Sequence, residues 1–319
     1  MTAASVNRVA VNGVELEVTE AGLDGAGPLV ILCHGFPELA YSWRHQIPAL
    51  AGAGYRVVAP NQRGYGRSSR PDDIDAYNMV NLTDDVVGLI DHYGEQAAVL
   101  VGHDWGAPVV WNAAQRFPDR VRAVVALSVP HGPRSPHRPT DAMKHIYGDN
   151  FFYVLYFQEP GKADAELMRD VRYSQRAFIW TICGDAPDGT YRVQDRNGTL
   201  LGMCGEPPDV MPAWLSTTDI DTYVRAFEES TFTGGLNWYR NSDRNWELSA
   251  SWGDRLIHQP ALFIGGDRDP VLRFTNLDGM IDVVPGLRGT HLLPGIGHWT
   301  QQEAPAACNR LLLEFLAQV

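Results

Sequence analysis

Continuous apolar segments of strand length, separated by helical patterns, are the feature that most constrains the fold of this chain. Residues 28–33 read PLVILC, and similar segments cover residues 55–59, 97–101, 121–129 and 261–264. Such segments are typical of strands that are buried on both faces of a mostly parallel sheet. Amphipathic helical patterns lie between or after them, at residues 81–93, 107–117 and 304–316. The alternation predicts an α/β protein with helices on both faces of the sheet.

The alternation stops near Pro130 and resumes near Pro260. The intervening segment contains aromatic-rich patterns of helical spacing, at residues 151–158, 167–180 and 220–229. We therefore predict a core built from residues 1–130 and 251–319. Residues 131–250 are predicted to form a helical cap, or lid, inserted over the C-terminal ends of the strands.

Composition excludes several classes of protein. The apolar fraction of 45% is that of an ordinary globular chain and argues against wholesale disorder. A net charge of −12 argues against a nucleic-acid partner, which would require a basic face. No apolar stretch approaches the roughly 20 residues that span a bilayer, and no secretory signal is evident. The four cysteines form no CxxC pair, so no metal site is predicted. A cytoplasmic protein without a membrane partner is expected.

The strongest local motif is VGHDWGA at residues 101–107, where a predicted strand passes directly into a predicted helix. Gly102 and Gly106 flank Asp104 and leave room for a sharp turn because they carry no Cβ. This is the shape of a nucleophile elbow, with an aspartate where serine hydrolases have a serine. The start of the following helix also favours an ionised carboxylate. Asp104 is therefore the predicted nucleophile rather than a simple helix cap.

A second motif, HGFPE at residues 34–38, follows the first buried strand. Ligands of open α/β sheets bind outside the carboxyl ends of the strands, so this turn belongs at the predicted site. The backbone N–H groups of Phe36 and Trp105 are predicted to form an oxyanion hole. The pattern leaves open whether the Phe36–Pro37 peptide bond is cis. His34 is interpreted as a structural histidine.

Two further loops supply an acid and a base. GGDRDP at residues 265–270 follows a predicted strand, and its Asp267 and Asp269 compete for the role of orienting a histidine. Asp269, next to Pro270, is the predicted choice, and Asp267 is then a turn or salt-bridge residue. GIGHW at residues 295–299 places His298 on a glycine-flanked loop, as expected for a general base. The order of nucleophile, acid and base along the chain matches that of α/β-hydrolases.

Taken together, these motifs resemble those of the soluble epoxide hydrolase family, which has the α/β-hydrolase fold. The resemblance rests on six segments in family order: HGFPE at 34–38, GHDWGA at 102–107, YVLYFQEPG at 153–161, GLNWYRN at 235–241, GDRDPVL at 266–272 and GHWTQQE at 297–303. The two segments in the predicted cap are the specific ones, because dehalogenase relatives share the others. The resemblance implies a proton-donating tyrosine from each cap segment, Tyr153 and Tyr239. Tyr156 in the first cap segment is the competing candidate.

The resemblance implies that lipophilic epoxides are converted to vicinal diols in two steps. An aspartate, with a reference pKa of about 3.9, is ionised at neutral pH and can displace at a saturated carbon, which leaves an alkyl ester. His298, held by Asp269, then activates water against the ester carbonyl. The tyrosines assist the departing alkoxide. The predicted partners are the epoxide and water, with no cofactor and no metal.

An apolar, aromatic-rich substrate pocket is predicted from the residues near these motifs. Its candidate members are Phe36, Pro37, Trp105, Phe151, Tyr156, Trp180, Trp238 and Trp299. The pattern does not distinguish fatty-acid, terpene and aryl epoxides. The predicted assembly is a monomer or a homodimer.

Two alternatives use the same fold. A haloalkane or haloacid dehalogenase would share the Asp–His–Asp machinery, but a departing halide needs no proton, so such a site favours Trp or Asn N–H donors over tyrosines. Phe36 stands where haloalkane dehalogenases often have Asn, and fluoroacetate-type relatives carry an Arg where this chain has Trp105. A non-catalytic ligand-binding protein is also compatible with the fold. The complete set of Asp104, Asp269 and His298 argues against that interpretation.

Overall fold

An eight-stranded sheet forms the centre of the computed structural model, which describes residues 4–319. Its strands are β1 (Ser5–Val11), β2 (Val14–Ala21), β3 (Leu29–Cys33), β4 (Arg56–Asn61), β5 (Ala98–His103), β6 (Val121–Leu127), β7 (Ala261–Gly266) and β8 (Leu287–Leu293). Across the sheet the order is β1-β2-β4-β3-β5-β6-β7-β8. β2 is antiparallel to both of its neighbours, and every other pair is parallel. The predicted α/β-hydrolase fold is confirmed.

The helices connect the strands and form the long segment between β6 and β7. They are α1 (Gln46–Gly52), α2 (Met79–His92), α3 (Gly106–Arg116), α4 (Pro139–Tyr147), α5 (Tyr153–Phe157), α6 (Lys162–Met168), α7 (Val171–Thr181), α8 (Leu200–Met203), α9 (Thr217–Ser230), α10 (Thr233–Arg240), α11 (Ser242–Leu248), α12 (Met280–Val283), α13 (Thr300–Glu303) and α14 (Pro305–Leu316). Within residues 4–319, no helix is both long enough and apolar enough to cross a membrane.

Both faces of the sheet are buried, as the continuous apolar segments predict. In β3, Leu29 and Ile31 belong to one apolar cluster, whereas Val30 and Leu32 belong to the cluster on the opposite face. Helices α2 and α3 cover the first face, and α1 and α14 cover the second. Burying one aliphatic side chain in this way contributes about 1.5–3 kcal/mol. A parallel sheet is stable only when both faces are covered, which is why alternation of polar and apolar residues is absent from β3.

Helices α4–α11 form the insertion between β6 and β7, and their apolar side chains join the cluster on the α2 and α3 face. The helix predicted over residues 167–180 is interrupted. α6 ends at Met168, and α7 begins after Asp170, which has extended backbone and accepts a hydrogen bond from the Tyr173 N–H. Asp170 is therefore a helix N-cap, a role for which aspartate is well suited. Helix α5 is also shorter than predicted.

Strand β8 has no counterpart in the sequence-based prediction. Its sequence, LRGTHLL, contains no continuous apolar segment, and its side chains are largely exposed. It lies at the edge of the sheet and pairs only with β7. An edge strand has one paired side and can be polar, so the pattern that identifies buried strands does not apply to it.

Candidate active site

Asp104 lies at a tight turn between β5, which ends at His103, and α3, which begins at Gly106. Its φ angle is +48°, a left-handed conformation that is costly for a residue with a side chain. A Cβ on Gly102 would come within 2.2 Å of the Gly106 carbonyl oxygen, and one on Gly106 within 2.1 Å of the Cys33 carbonyl oxygen. The turn therefore requires both glycines. It holds Asp104 at the carboxyl end of the sheet, in the geometry of a nucleophile elbow.

The structure brings Asp104, His298 and Asp269 together. The Nδ1 atom of His298 lies 2.9 Å from Asp269 Oδ2, and its Nε2 atom lies 3.3 Å from Asp104 Oδ2. Asp269 comes from the loop after β7, and its side chain is fully buried. Asp267 is exposed and instead accepts a hydrogen bond from the Gly295 N–H at 2.8 Å. Of the two competing aspartates, Asp269 is therefore the one in contact with His298.

The two carboxylates give His298 an unusual affinity for protons. Burial by itself would lower the pKa of His298, but the negative charges and hydrogen bonds of Asp269 and Asp104 outweigh burial and raise it well above its ordinary value. Burial likewise opposes ionisation of Asp104, yet the hydrogen bond to His298 and that from the Phe36 N–H lower the Asp104 pKa. The charged forms of Asp104 and His298 therefore stabilise each other in the resting site.

Removing the Asp104 charge is expected to lower the pKa of His298. In Asp104→Asn one of the two flanking charges is lost while Asp269 stays in place, so the histidine should release its proton at a lower pH than in the wild type. A histidine-resolved NMR titration measures this change. Asp267→Asn removes an exposed charge from the same region and serves as the control, with no change expected at His298. An unchanged His298 pKa in Asp104→Asn would contradict the assigned electrostatics.

The Phe36 N–H donates a hydrogen bond to Asp104 Oδ1 at 2.7 Å. Asp104 Oδ1 is thus hydrogen-bonded to the backbone, and Asp104 Oδ2 lies beside His298. The Phe36–Pro37 peptide bond, left open by the sequence, is cis. Trp105 immediately precedes the first residue of α3, so its N–H is among the unpaired donors of a helix N-terminus. The geometry therefore provides donors of the kind that an oxyanion hole needs.

Tyr153 on α5 and Tyr239 on α10 lie close to each other and to the elbow. Their ring centroids are 6.0 Å apart, and the Tyr239 ring centroid lies 5.0 Å from that of Trp105. Burial, reinforced by the charge of Asp104, raises the pKa of both phenols. Both therefore keep their protons at neutral pH and can donate them. Tyr156 differs, because its hydroxyl donates to the buried Glu166 at 2.9 Å and is engaged away from Asp104.

Phe36 is the centre of an aromatic cluster that only the folded chain creates. Its ring contacts Tyr239 at 5.5 Å between centroids, mostly edge to face. Three phenylalanines that sequence reasoning missed complete the cluster at centroid distances of 6.0–6.2 Å: Phe157, Phe178 and Phe232. Phe157 offered one signal, because it follows Tyr153 by four residues and so shares its helix face. The surroundings of Asp104 are consequently apolar and aromatic.

The predicted pocket tryptophans occupy different places. Trp299 is buried against the His298 ring at 4.9 Å, and its indole N–H donates to the Ile179 carbonyl. Trp238 is buried behind Trp105 at 6.0 Å and donates to a core carbonyl. Trp180 instead faces a surface depression that also contains Trp214 and Glu303.

Two other predicted pocket residues, Phe151 and Pro37, flank the site. Phe151 is buried and lines a cavity of about 600 Å³ between the inserted helices and the loop after Asp269. Pro37 lies beneath α7, where its carbonyl is 3.4 Å from the side-chain amide of Gln175. Phe151 thus faces a cavity that reaches the loop after Asp269, whereas Pro37 contacts the insertion.

A buried polar network lies behind His298, and sequence reasoning did not predict it. His103 Nε2 donates to the His298 carbonyl at 2.8 Å, and His103 Nδ1 lies 2.6 Å from Glu38 Oε2. Ser128 Oγ donates to the same carbonyl at 2.7 Å. The side chains of His103, Glu38 and Ser128 and the His298 carbonyl thus form one hydrogen-bonded network. Among residues 4–319, no group of three or more His, Cys, Asp or Glu side chains is arranged to hold a metal ion.

The fold and this site together define an α/β-hydrolase whose elbow carries an aspartate. Consistent with that class, residues 28–165 match the family model described as the alpha/beta hydrolase fold. The chain is 52% identical to epoxide hydrolase A of Mycobacterium tuberculosis over 99% of its own length and 98% of that protein. The chain belongs to the epoxide hydrolase family.

Solved structures agree with this assignment. The crystal structure of epoxide hydrolase A from Mycobacterium thermoresistibile is 50% identical, with a TM-score of 0.95, and covers 99% of this chain and 98% of that one. An epoxide hydrolase from an endophytic Streptomyces is 45% identical, with a TM-score of 0.93, and covers 98% of this chain and 95% of that one. The resemblance carried by the six sequence motifs is thereby confirmed.

Proposed function

We propose that this protein converts lipophilic epoxides to vicinal diols through a covalent ester on Asp104. The observation that carries the proposal is a carboxylate, Asp104, paired with His298 at 3.3 Å, together with two phenols, Tyr153 and Tyr239, close enough for the charge of Asp104 to add to burial in raising their pKa. A nucleophile, a base and proton donors are the groups that this reaction needs.

The first half-reaction opens the ring. Asp104 Oδ2 attacks one epoxide carbon, and the bond between that carbon and the epoxide oxygen breaks. Oδ2 is assigned this role because Oδ1 is already bonded to the Phe36 N–H. The oxygen leaves as an alkoxide, a poor leaving group, and takes a proton from Tyr153 or Tyr239. The product is an ester of Asp104 with a free hydroxyl on the neighbouring carbon.

The second half-reaction hydrolyses the ester. Once Asp104 is esterified its charge is gone, so the His298 pKa falls and the histidine can act as a base. It removes a proton from water, and the hydroxide attacks the Asp104 carbonyl carbon. Oδ1 becomes an oxyanion bonded to the Phe36 and Trp105 N–H groups, and the diol leaves with Oδ2. The proton that His298 releases before it acts as a base passes through solvent to the phenolate left by the first step. The departing diol oxygen takes the proton of the hydroxyl group added from water, so Asp104 is again a carboxylate and His298 keeps the proton it took from water. Over both steps one epoxide and one water give one diol, and every side chain regains its starting protonation state.

The inserted segment, residues 131–250, is proposed to act as the cap of this site. It supplies both phenols and most of the aromatic rings around Phe36. The cavity of about 600 Å³ beside Phe151 and Phe274 is proposed to hold the part of the substrate remote from the ring. The favoured substrate class is a lipophilic epoxide, because the aromatic rings packed around Phe36 make the surroundings of Asp104 apolar.

Heavy-oxygen labelling tests the nucleophile. With enzyme in excess over styrene oxide in H₂¹⁸O, the first diol should contain only light oxygen, because its new oxygen comes from Asp104. The label should appear in the Asp104 carboxylate, in the peptide that contains residue 104. Water that attacked the epoxide directly would give a labelled diol and an unlabelled protein. That outcome would exclude Asp104 as nucleophile but leave the overall activity in place.

A substrate panel tests the class of reaction. We expect the protein to convert at least one of three epoxides to a diol: styrene oxide, limonene oxide or an epoxidised fatty acid. It should release little bromide from 1-bromobutane. Bromide release without diol formation from any epoxide would instead establish a dehalogenase.

A further inference from the structure

The side chain of Glu303, at the end of α13, binds three backbone N–H groups from two parts of the chain. Its Oε2 accepts hydrogen bonds from Gly297 at 2.9 Å and from Gly184 at 2.8 Å, and its Oε1 accepts one from Trp299 at 3.0 Å. Gly297 and Trp299 are the two residues that flank His298. Gly184 belongs to the inserted segment, just after α7. One carboxylate thus joins the histidine loop to the insertion.

The His298 loop and the segment after α7 are in direct backbone contact. The His298 N–H donates to the Ile182 carbonyl at 2.9 Å. A Cβ on Gly297 would lie 2.3 Å from the Gly184 nitrogen, so these two backbone segments approach more closely than a larger residue at position 297 would allow. The His298 carbonyl faces the other way, toward His103 and Ser128. The backbone of His298 is therefore hydrogen-bonded to the core on one side and to the insertion on the other.

We propose that Glu303 is a positioning residue for the ester-hydrolysis step, acting by fixing the loop that carries His298; the inference rests on the proposed two-step function. Charge-assisted hydrogen bonds to N–H groups are about twice as strong as neutral ones. Two of them on either side of His298, with a third to Gly184 of the insertion, therefore restrict the loop effectively. Displacing a catalytic group by about 1 Å can slow a reaction by about 100-fold. The orientation of His298 toward Asp104 and Asp269 thus depends on Glu303.

The ring-opening step does not share this dependence. Asp104 is held by the elbow between β5 and α3, and the phenols lie on α5 and α10. None of these elements is among the hydrogen-bond partners of the Glu303 carboxylate. Loss of the Glu303 charge should therefore separate the two half-reactions instead of slowing both.

Glu303→Gln is the variant that tests the proposal. A glutamine has the same shape, but its NH₂ group faces backbone N–H donors, so at least one of the three hydrogen bonds is lost. With styrene oxide as the probe, ester hydrolysis is expected to slow about 10- to 100-fold, while the single-turnover rate of ester formation stays close to that of the wild type. The ester should accumulate in the steady state, as measured by intact-protein mass spectrometry. The pH profile of the hydrolysis step should also move to lower pH, because a displaced His298 contacts Asp269 less well.

A matched control separates this role from general loosening of the insertion. Asp219 on α9 bonds to Arg44 of the core at 3.0 Å, so Asp219→Asn weakens another contact between insertion and core by the same acid-to-amide change. Asp219→Asn is expected to leave the ratio of the two half-reactions and the pH profile unchanged. If both variants slow the two steps in equal proportion, Glu303 has only a structural role and the proposal is wrong.

Two further variants complete the test. If Glu303→Gln does not fold, the same ratio is measured in Glu303→Asp, whose shorter carboxylate cannot reach all three N–H groups. A wild-type ratio in that variant would overturn the proposal. His298→Gln in the same assay distinguishes the two levels of inference. Ester accumulation in His298→Gln with a wild-type ratio in the Glu303 variants rejects only the role of Glu303, whereas no ester in His298→Gln rejects the two-step function.

Discussion

His298→Gln is expected to react once with an epoxide and then stop, carrying the substrate as an ester on Asp104. Ring opening requires Asp104 and the phenols, which the substitution leaves in place. Hydrolysis of the ester requires a base beside the carbonyl, and general bases contribute about 100- to 10,000-fold to such steps. Intact-protein mass spectrometry should show a gain of one substrate mass, and peptide mapping should locate it at residue 104. Steady-state diol formation should fall by about the same 100- to 10,000-fold.

His291→Gln is the matched control for this prediction. His291 lies on the exposed edge strand β8, so its loss should leave turnover intact and the protein unmodified. Asp104→Ala provides the opposite control, since it should form no ester with any epoxide. Persistence of unmodified His298→Gln in the presence of a substrate that the wild type consumes would show that His298 is not the base for ester hydrolysis.

Replacing both phenols, in Tyr153→Phe combined with Tyr239→Phe, is expected to abolish ring opening nearly completely. The alkoxide then leaves without a proton donor, and the contribution of a general acid is about 100- to 10,000-fold. Each single substitution should have a smaller effect, because the remaining phenol can still donate to the same oxygen. The measurement is the single-turnover rate of ester formation. Circular dichroism and the melting temperature establish that the variants remain folded.

Tyr156→Phe is the natural control, because Tyr156 lies on the same helix as Tyr153 but its hydroxyl donates a hydrogen bond to Glu166. It should lower stability, since it leaves a buried carboxylate with one partner fewer, and should leave ring opening unaffected. Full activity in the double variant together with a loss of activity in Tyr156→Phe would transfer the role of acid to Tyr156.

Much of the candidate site was predictable because its residues are placed by local geometry. Gly102 and Gly106 around Asp104 indicate a sharp turn between a strand and a helix, and the structure requires both for that turn. Asp104 and Asp269 each follow a predicted strand of the parallel part of the sheet, whereas His298 was predicted from its glycine-flanked loop, because β8 was not predicted. Parallel strands end at the same edge, so motifs that follow them meet there even when they are distant along the chain.

The features that could not be predicted depend on contacts between distant segments. Tyr153 and Tyr156 lie three residues apart on a short helix, so helical spacing does not distinguish them. Only packing distinguishes the two tyrosines, because Glu166 on α6 accepts a hydrogen bond from the Tyr156 hydroxyl. The ring cluster around Phe36 likewise joins α5, α7 and the start of α10 with a loop of the core.

The sequence by itself therefore predicted the fold class, which the structure confirms, the sharp turn at Asp104, and the proposed roles of Asp104, Asp269 and His298. Each of these follows from short-range patterns: continuous apolar strands, glycines at a tight turn, and polar residues directly after strands. The tertiary structure shows the contact between His298 and Asp269, which the sequence had favoured over Asp267. Only the tertiary structure decided that Glu38, His103 and Glu303 surround the histidine loop. Those contacts join residues up to 195 positions apart. A buried carboxylate acquires hydrogen-bond donors from distant segments only in the folded chain. Without those hydrogen bonds, burying the carboxylate would cost too much free energy.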